Sequence, residues 1–181
     1  MLAVVDIQER LVPAVSGRDE ILWNTRRLID GAKLFDVPVV VTEQYPKGLG
    51  PTMPELTAAL PEGTPVIEKK SFSVCLVPEF LEEICRRESV YKVLLTGMET
   101  HICILQTALD LLSLGYEVHL VVDAVGSRFA NDTQIAIRRL ESSGVMLTTT
   151  ESALFQWCRT AGAPQFKAVS NLVREQEHQP H

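Results

Sequence analysis

Apolar and polar positions alternate along the chain in blocks of two kinds, short apolar runs and longer stretches with helical spacing. Leu2–Ile7 is almost continuously apolar, the pattern of a parallel strand covered on both faces. Ile21, Leu22, Leu28, Ile29 and Ala32 then recur at helical intervals within 19–35. Pro38–Thr42 is a second strand, its Val39–Val41 run β-branched. Residues 43–65 are punctuated by prolines and glycines, which predicts irregular chain around one short helix at 54–60. The alternation resumes with strands at 66–68, 91–96, 117–122 and 145–149. Helices are predicted at 78–87, 100–114, 131–142, 152–160 and 164–174.

Six strands alternating with helices predict a three-layer α/β/α fold around a six-stranded, mostly parallel, doubly wound (Rossmann-like) sheet. At 181 residues the chain suits one domain, taken as 1–175, with a polar tail at 176–181. In such a sheet ligands bind beyond the carboxyl ends of the strands, so the strand ends are where chemistry is sought.

Charge narrows the partners. A net charge of −6 without a clustered basic run argues against nucleic acid. The apolar runs are strand-length, far below the roughly 20 residues of a spanning helix, so no membrane partner is expected. Met1 leads straight into an apolar strand without a basic segment before it, and the four cysteines have no C-x-x-C spacing. Both fit a reducing, cytoplasmic compartment with free thiols.

Three residues at the expected strand ends carry candidate chemistry: Asp6, Lys69 and Cys103. Thr100 is a candidate N-cap, which would put Cys103 in the first turn of a helix. Free amides and the positive dipole end there would favour a thiolate and supply oxyanion donors. Each residue has a plainer reading. Cys103 fits an inert core thiol, Asp6 a loop cap, and Lys69 beside Lys70 a solvated surface.

The combination is more specific than its parts. Asp6-Ile7-Gln8, Lys69-x-x-Phe72-Ser73, Gly97-x-Glu99-Thr100-x-x-Cys103, and Asp123-Ala124 with Ser127 resemble, in order and spacing, the isochorismatase-like cysteine hydrolase family. The resemblance runs from about residue 2 to 160. The segment 42–50 is similar to the branch of isochorismatase domain-containing proteins. The resemblance implies Cys103 as nucleophile, Asp6 as proton acceptor and donor, and Lys69 as the cation holding Asp6. It also implies an oxyanion hole from the backbone N–H groups of Glu99 and Cys103, and a cis peptide between Met98 and Glu99. Gln44, Tyr45 and Phe72 are candidate substrate contacts. Asp123 is expected to order its loop and Cys75 to pack.

Relatives of the nicotinamidase type bind a metal after the second strand through Asp and His. This chain has Glu43, Gln44 and Tyr45 there and no histidine before His101. No metal and no cofactor are expected. The expected function is metal-independent hydrolysis of a small amide or related C–N or acyl compound, by a homo-oligomer. A catalytically inactive interaction protein of the same fold is the alternative, and a thiol-based redox role ranks below both.

Overall fold

The structure is a computed structural model that describes residues 1–87 and 90–175. The polar tail expected at 176–181 lies outside the described residues. Six strands form one sheet: β1 (Leu2–Val5), β2 (Val39–Gln44), β3 (Val66–Lys69), β4 (Lys92–Met98), β5 (Glu117–Gly126) and β6 (Met146–Thr148). Their order is β3-β2-β1-β4-β5-β6, and every neighbouring pair is parallel.

The sheet interior has two dry faces. Along β1, Leu2 and Val4 pack into one cluster and Ala3 and Val5 into the other, all fully buried. The first cluster is covered by α1 (Arg18–Leu34) through Ile21, Leu28 and Ile29. Leu56 of α3 (Pro54–Ala59) and Ala153 of α7 (Thr150–Cys158) complete that cover. The second is covered by α4 (Pro78–Cys85), α5 (Leu105–Ser113) and α6 (Ala130–Ser142), through Phe80, Ile84, Leu111 and Leu140. A short α2 (Pro46–Leu49) follows β2, and α8 (Phe166–Arg174) lays Val169 against Leu154 and Cys158 of α7. Burial on both faces explains why the strands read as continuous apolar runs.

The chain winds outward from β1 to β3, then crosses back to the other side of β1 as β4. The strand order reverses between β1 and β4, and that reversal opens a crevice at their carboxyl ends. Gly97 is what lets the two strands meet there. Its φ is +129°, and a Cβ on it would stand 2.0 Å from the carbonyl oxygen of Val5.

Two expectations are corrected. β5 continues four residues past Val122, because after an irregularity between Leu95 and Gly97 the small residues Val125 and Gly126 pair with Gly97 and Met98. The polar Asp123 had broken the apolar run at that point. The helix expected from Thr100 starts as an α-helix only at Leu105, and Thr100–Ile104 is a π-helical turn. Apolar spacing over five residues does not separate the two helix types.

Candidate active site

Asp6 is the first residue beyond β1, in the left-handed region at φ 54°. Its backbone N–H donates to Thr42 O at 3.1 Å, continuing the β1–β2 ladder and turning the side chain into the crevice. There Thr42 Oγ1 donates to Asp6 Oδ1 at 2.6 Å and Lys69 Nζ to Asp6 Oδ2 at 2.6 Å. Both charged side chains are wholly buried. A buried ion pair survives only when its leftover donors and acceptors are also met. Lys69 Nζ meets this by donating to Gln44 Oε1 at 2.9 Å and to the Phe72 and Ser71 carbonyls at 3.1 and 3.4 Å.

Cys103 lies in the π-helical turn, buried, with Asp6 and Lys69 near enough for their charges to act on its thiol. The structure thus brings together the acid, the amine and the thiol singled out in the sequence. It does not give the expected thiolate. Burial first, and then the negative charge of Asp6, push the thiol up to about 12 against the opposing pull of Lys69. At neutral pH the sulfur holds its proton, because desolvation outweighs the help expected from a helix end.

The turn itself also differs from expectation. Thr100 makes no cap: it is fully buried, and its hydroxyl has no partner among the described residues. Glu99 precedes the turn, and its carbonyl accepts the N–H groups of Ile102 and Ile104. The Met98–Glu99 peptide is cis, as the resemblance implied. The Glu99 carboxylate accepts two hydrogen bonds from Arg128, from its main-chain N–H at 3.1 Å and its Nε at 2.9 Å.

The tentative substrate contacts divide. Gln44 spends both ends of its amide on the protein, accepting from Lys69 and donating from Nε2 to Lys70 O at 2.9 Å. Tyr45 and Phe72 expose their rings at the same edge of the sheet, while their backbones hold Lys69. Tyr45 N–H donates to Lys69 O at 2.9 Å, and Phe72 O accepts from Lys69 Nζ.

Other residues matter structurally. Gln8 is buried, accepts from Gln44 N–H at 2.8 Å, and donates to Gln44 O and Gly50 O at 3.1 and 2.7 Å. It ties the end of β1 to the irregular segment after β2. Thr42 and Arg128 were not foreseen, although a threonine closing the Val39–Val41 run was a legible sign of a polar neighbour. Asp123 orders its surroundings as expected, its carboxylate accepting from the N–H of Thr150 at 2.8 Å and from its hydroxyl at 3.0 Å. Glu43, where metal-binding relatives place a ligand, instead accepts from Thr52 N–H and Oγ1 at 2.7 and 2.8 Å. Among the described residues no three His, Cys, Asp or Glu side chains group as a metal site.

Residues 1–152 match the family model described as the isochorismatase domain. This chain belongs to the isochorismatase family. Isochorismatase domain-containing protein 2A of Mus musculus is 43% identical over 97% of this chain and 82% of its own length. Isochorismatase domain-containing protein 2 of Bos taurus is 46% identical over 97% and 83%. A secreted isochorismatase effector of Phytophthora sojae is 41% identical over 97% and 84%. Among solved structures, one described as the MAR1 ribonuclease of Caenorhabditis elegans superposes with a TM-score of 0.92 at 40% identity, covering 98% of this chain and 91% of that one. The Escherichia coli YcaC gene product, described as an octameric hydrolase of unknown specificity, shares the fold. Its TM-score is 0.87 at 24% identity, over 94% of this chain and 84% of that one. The likeness to the nematode structure extends over nearly the whole chain.

Proposed function

We propose that this isochorismatase-family chain is a metal-independent cysteine hydrolase of a small amide or related C–N or acyl compound. The observation that carries the reading is a fully buried, fully partnered Asp6–Lys69 pair set against the buried Cys103 thiol. A fold does not bury an ion pair beside a thiol without cost, and perturbed groups in a crevice mark candidate chemistry.

The resting thiol is protonated, so attack and proton transfer go together. Asp6 takes the Sγ proton as sulfur bonds to the carbonyl carbon, and the C=O pair shifts to oxygen. The N–H groups of Glu99 and Cys103 hold that oxyanion. Collapse expels the amine, which takes the proton from Asp6 and leaves a thioester on Cys103. Asp6 then deprotonates a water that attacks the thioester, and the sulfur leaves as the acid forms and regains the proton. Lys69 keeps Asp6 in place and offsets its charge throughout. No metal or cofactor enters any step, and a chelator is expected to leave turnover unchanged.

The test is a panel of small amides and esters followed by intact-mass measurement. An acyl adduct on Cys103, with amine release lost in Cys103→Ala, is expected. Release that persists in Cys103→Ala overturns the proposal. The inactive interaction protein of the same fold predicts no adduct from any compound. RNA belongs in the same panel because of the nematode protein's description. The net charge of −6 predicts that RNA stays intact. We further propose a homo-oligomer of single-domain chains in a reducing, cytoplasmic-type compartment, consistent with four unpaired cysteines. No helix among the described residues is long and apolar enough to cross a membrane.

A further inference from the structure

β4 and β5 lie side by side with Met98 opposite Gly126, so the residues leaving them emerge together. Glu99 leaves β4, and Ser127 and Arg128 leave β5. The two exits are tied at several points. One oxygen of the Glu99 carboxylate accepts both the main-chain N–H and the Nε of Arg128. His101 Nδ1 and Ser127 Oγ lie 2.9 Å apart. From the far side, Ser16 N–H donates to Ser127 O at 3.2 Å and its hydroxyl to Arg128 O at 3.0 Å.

The Arg128 guanidinium is used unevenly. The Glu99 side chain is only 8% exposed, whereas that of Arg128 is 49% exposed. Among the described residues only its Nε is engaged, and both terminal amino groups lack a protein partner. An exposed arginine ordinarily samples many rotamers. Here the Nε bond to a buried carboxylate fixes the base of a planar fork while its donor end stays open. A fixed open fork of this kind matches a carboxylate, two N–H groups to two oxygens. It sits beside Glu99, whose N–H holds the oxyanion in the proposed reaction, four residues before the nucleophile.

We propose that Arg128 is a specificity residue that binds a carboxylate of the substrate, so that the preferred substrate is a small amide with an anionic second end. The inference rests on the cysteine-hydrolase reading. The chain's net charge of −6 repels anions in general, so the preference is local to this fork.

Iodoacetate and iodoacetamide test it without knowledge of the substrate. Each bonds its CH2 carbon to a cysteine sulfur and releases iodide, and the two differ in one negative charge. The ratio of their rates is read by peptide mass at Cys103 and at the exposed Cys85. The iodoacetate-to-iodoacetamide ratio is expected to be higher at Cys103. Arg128→Gln is expected to lower it about tenfold there and leave the Cys85 ratio unchanged. Arg128→Lys, which keeps the charge and loses the fork, is expected to fall between. An arginine that merely braces Glu99 would slow both probes equally, and an unchanged ratio overturns the inference. If neither probe modifies Cys103, its buried, protonated thiol is too slow to report, and the nucleophile reading stands or falls on the acyl-adduct test. Calorimetry on the Cys103→Ala protein then decides the anion site, with succinamate expected to bind about tenfold tighter than succinamide and to lose that margin in Arg128→Gln. Equal affinity, or no binding of either, overturns it.

Discussion

At Cys103 burial favours the neutral thiol, and of the two opposite charges beside it Asp6 acts the more strongly, adding to that rise against Lys69. Removing each charge should therefore move the sulfur in opposite directions. Asp6→Asn is expected to bring the thiol down and speed its alkylation at pH 8 while abolishing amide turnover. Lys69→Met is expected to push it higher and slow alkylation. Parallel changes in both variants would contradict the assigned charges. Lys69→Met also strands a buried carboxylate and is expected to cost about 3–5 kcal/mol in urea denaturation. The raised thiol has a consequence for stability as well. Below pH 9 it is protonated folded or unfolded and contributes its full share. Between about 9 and 12 the unfolded chain ionises first, so stability falls as pH rises, and Cys103→Ala should flatten that fall. That Asp6, Lys69 and Cys103 come together at one sheet edge was legible because strand ends limit the choices. Gln44 was assigned to the substrate, yet its amide serves Lys69. The hydrogen bonds of Gln8 and Thr42 join segments about 36 positions apart in sequence, a separation that periodicity does not register.

Among the elements, the strand and helix order followed directly from apolar runs, because two covered faces leave a strand no polar alternation to hide in. The turn that carries Cys103 was not legible to the same depth. Its π-helical form and the extension of β5 both arise from how β4 and β5 meet, a contact between elements that neither sequence carries alone. Gly97 is the fixed point of that meeting. Gly97→Ala would drive a Cβ into the Val5 carbonyl at a backbone angle side chains rarely adopt. We expect a loss on the order of 3 kcal/mol or more, read by chemical denaturation. A stable, active Gly97→Ala protein would show that β1 and β4 separate more easily than their pairing implies. The start of α7 gives a milder case. Asp123→Ala removes the acceptor of the Thr150 N–H and hydroxyl, and is expected to cost about 1–2 kcal/mol by the same measurement.

For the molecule as a whole, the edges of the sheet are its weaker ground. Met146 and Leu147 on β6 and Val66 on β3 are exposed apolar side chains. Sedimentation equilibrium is expected to return the mass of two or more chains, and a single-chain mass at every concentration would remove the proposed homo-oligomer. The outer position of β3 reaches further than assembly. Lys69 is anchored on a four-residue border strand, while Asp6 and Cys103 hang from the interior pair β1 and β4. Border strands loosen before the interior does. On gentle warming, the catalyst should fall silent several degrees before circular dichroism records any melting, and recover fully on cooling. The ammonium would act as a thermal fuse, placed where the fold comes apart first.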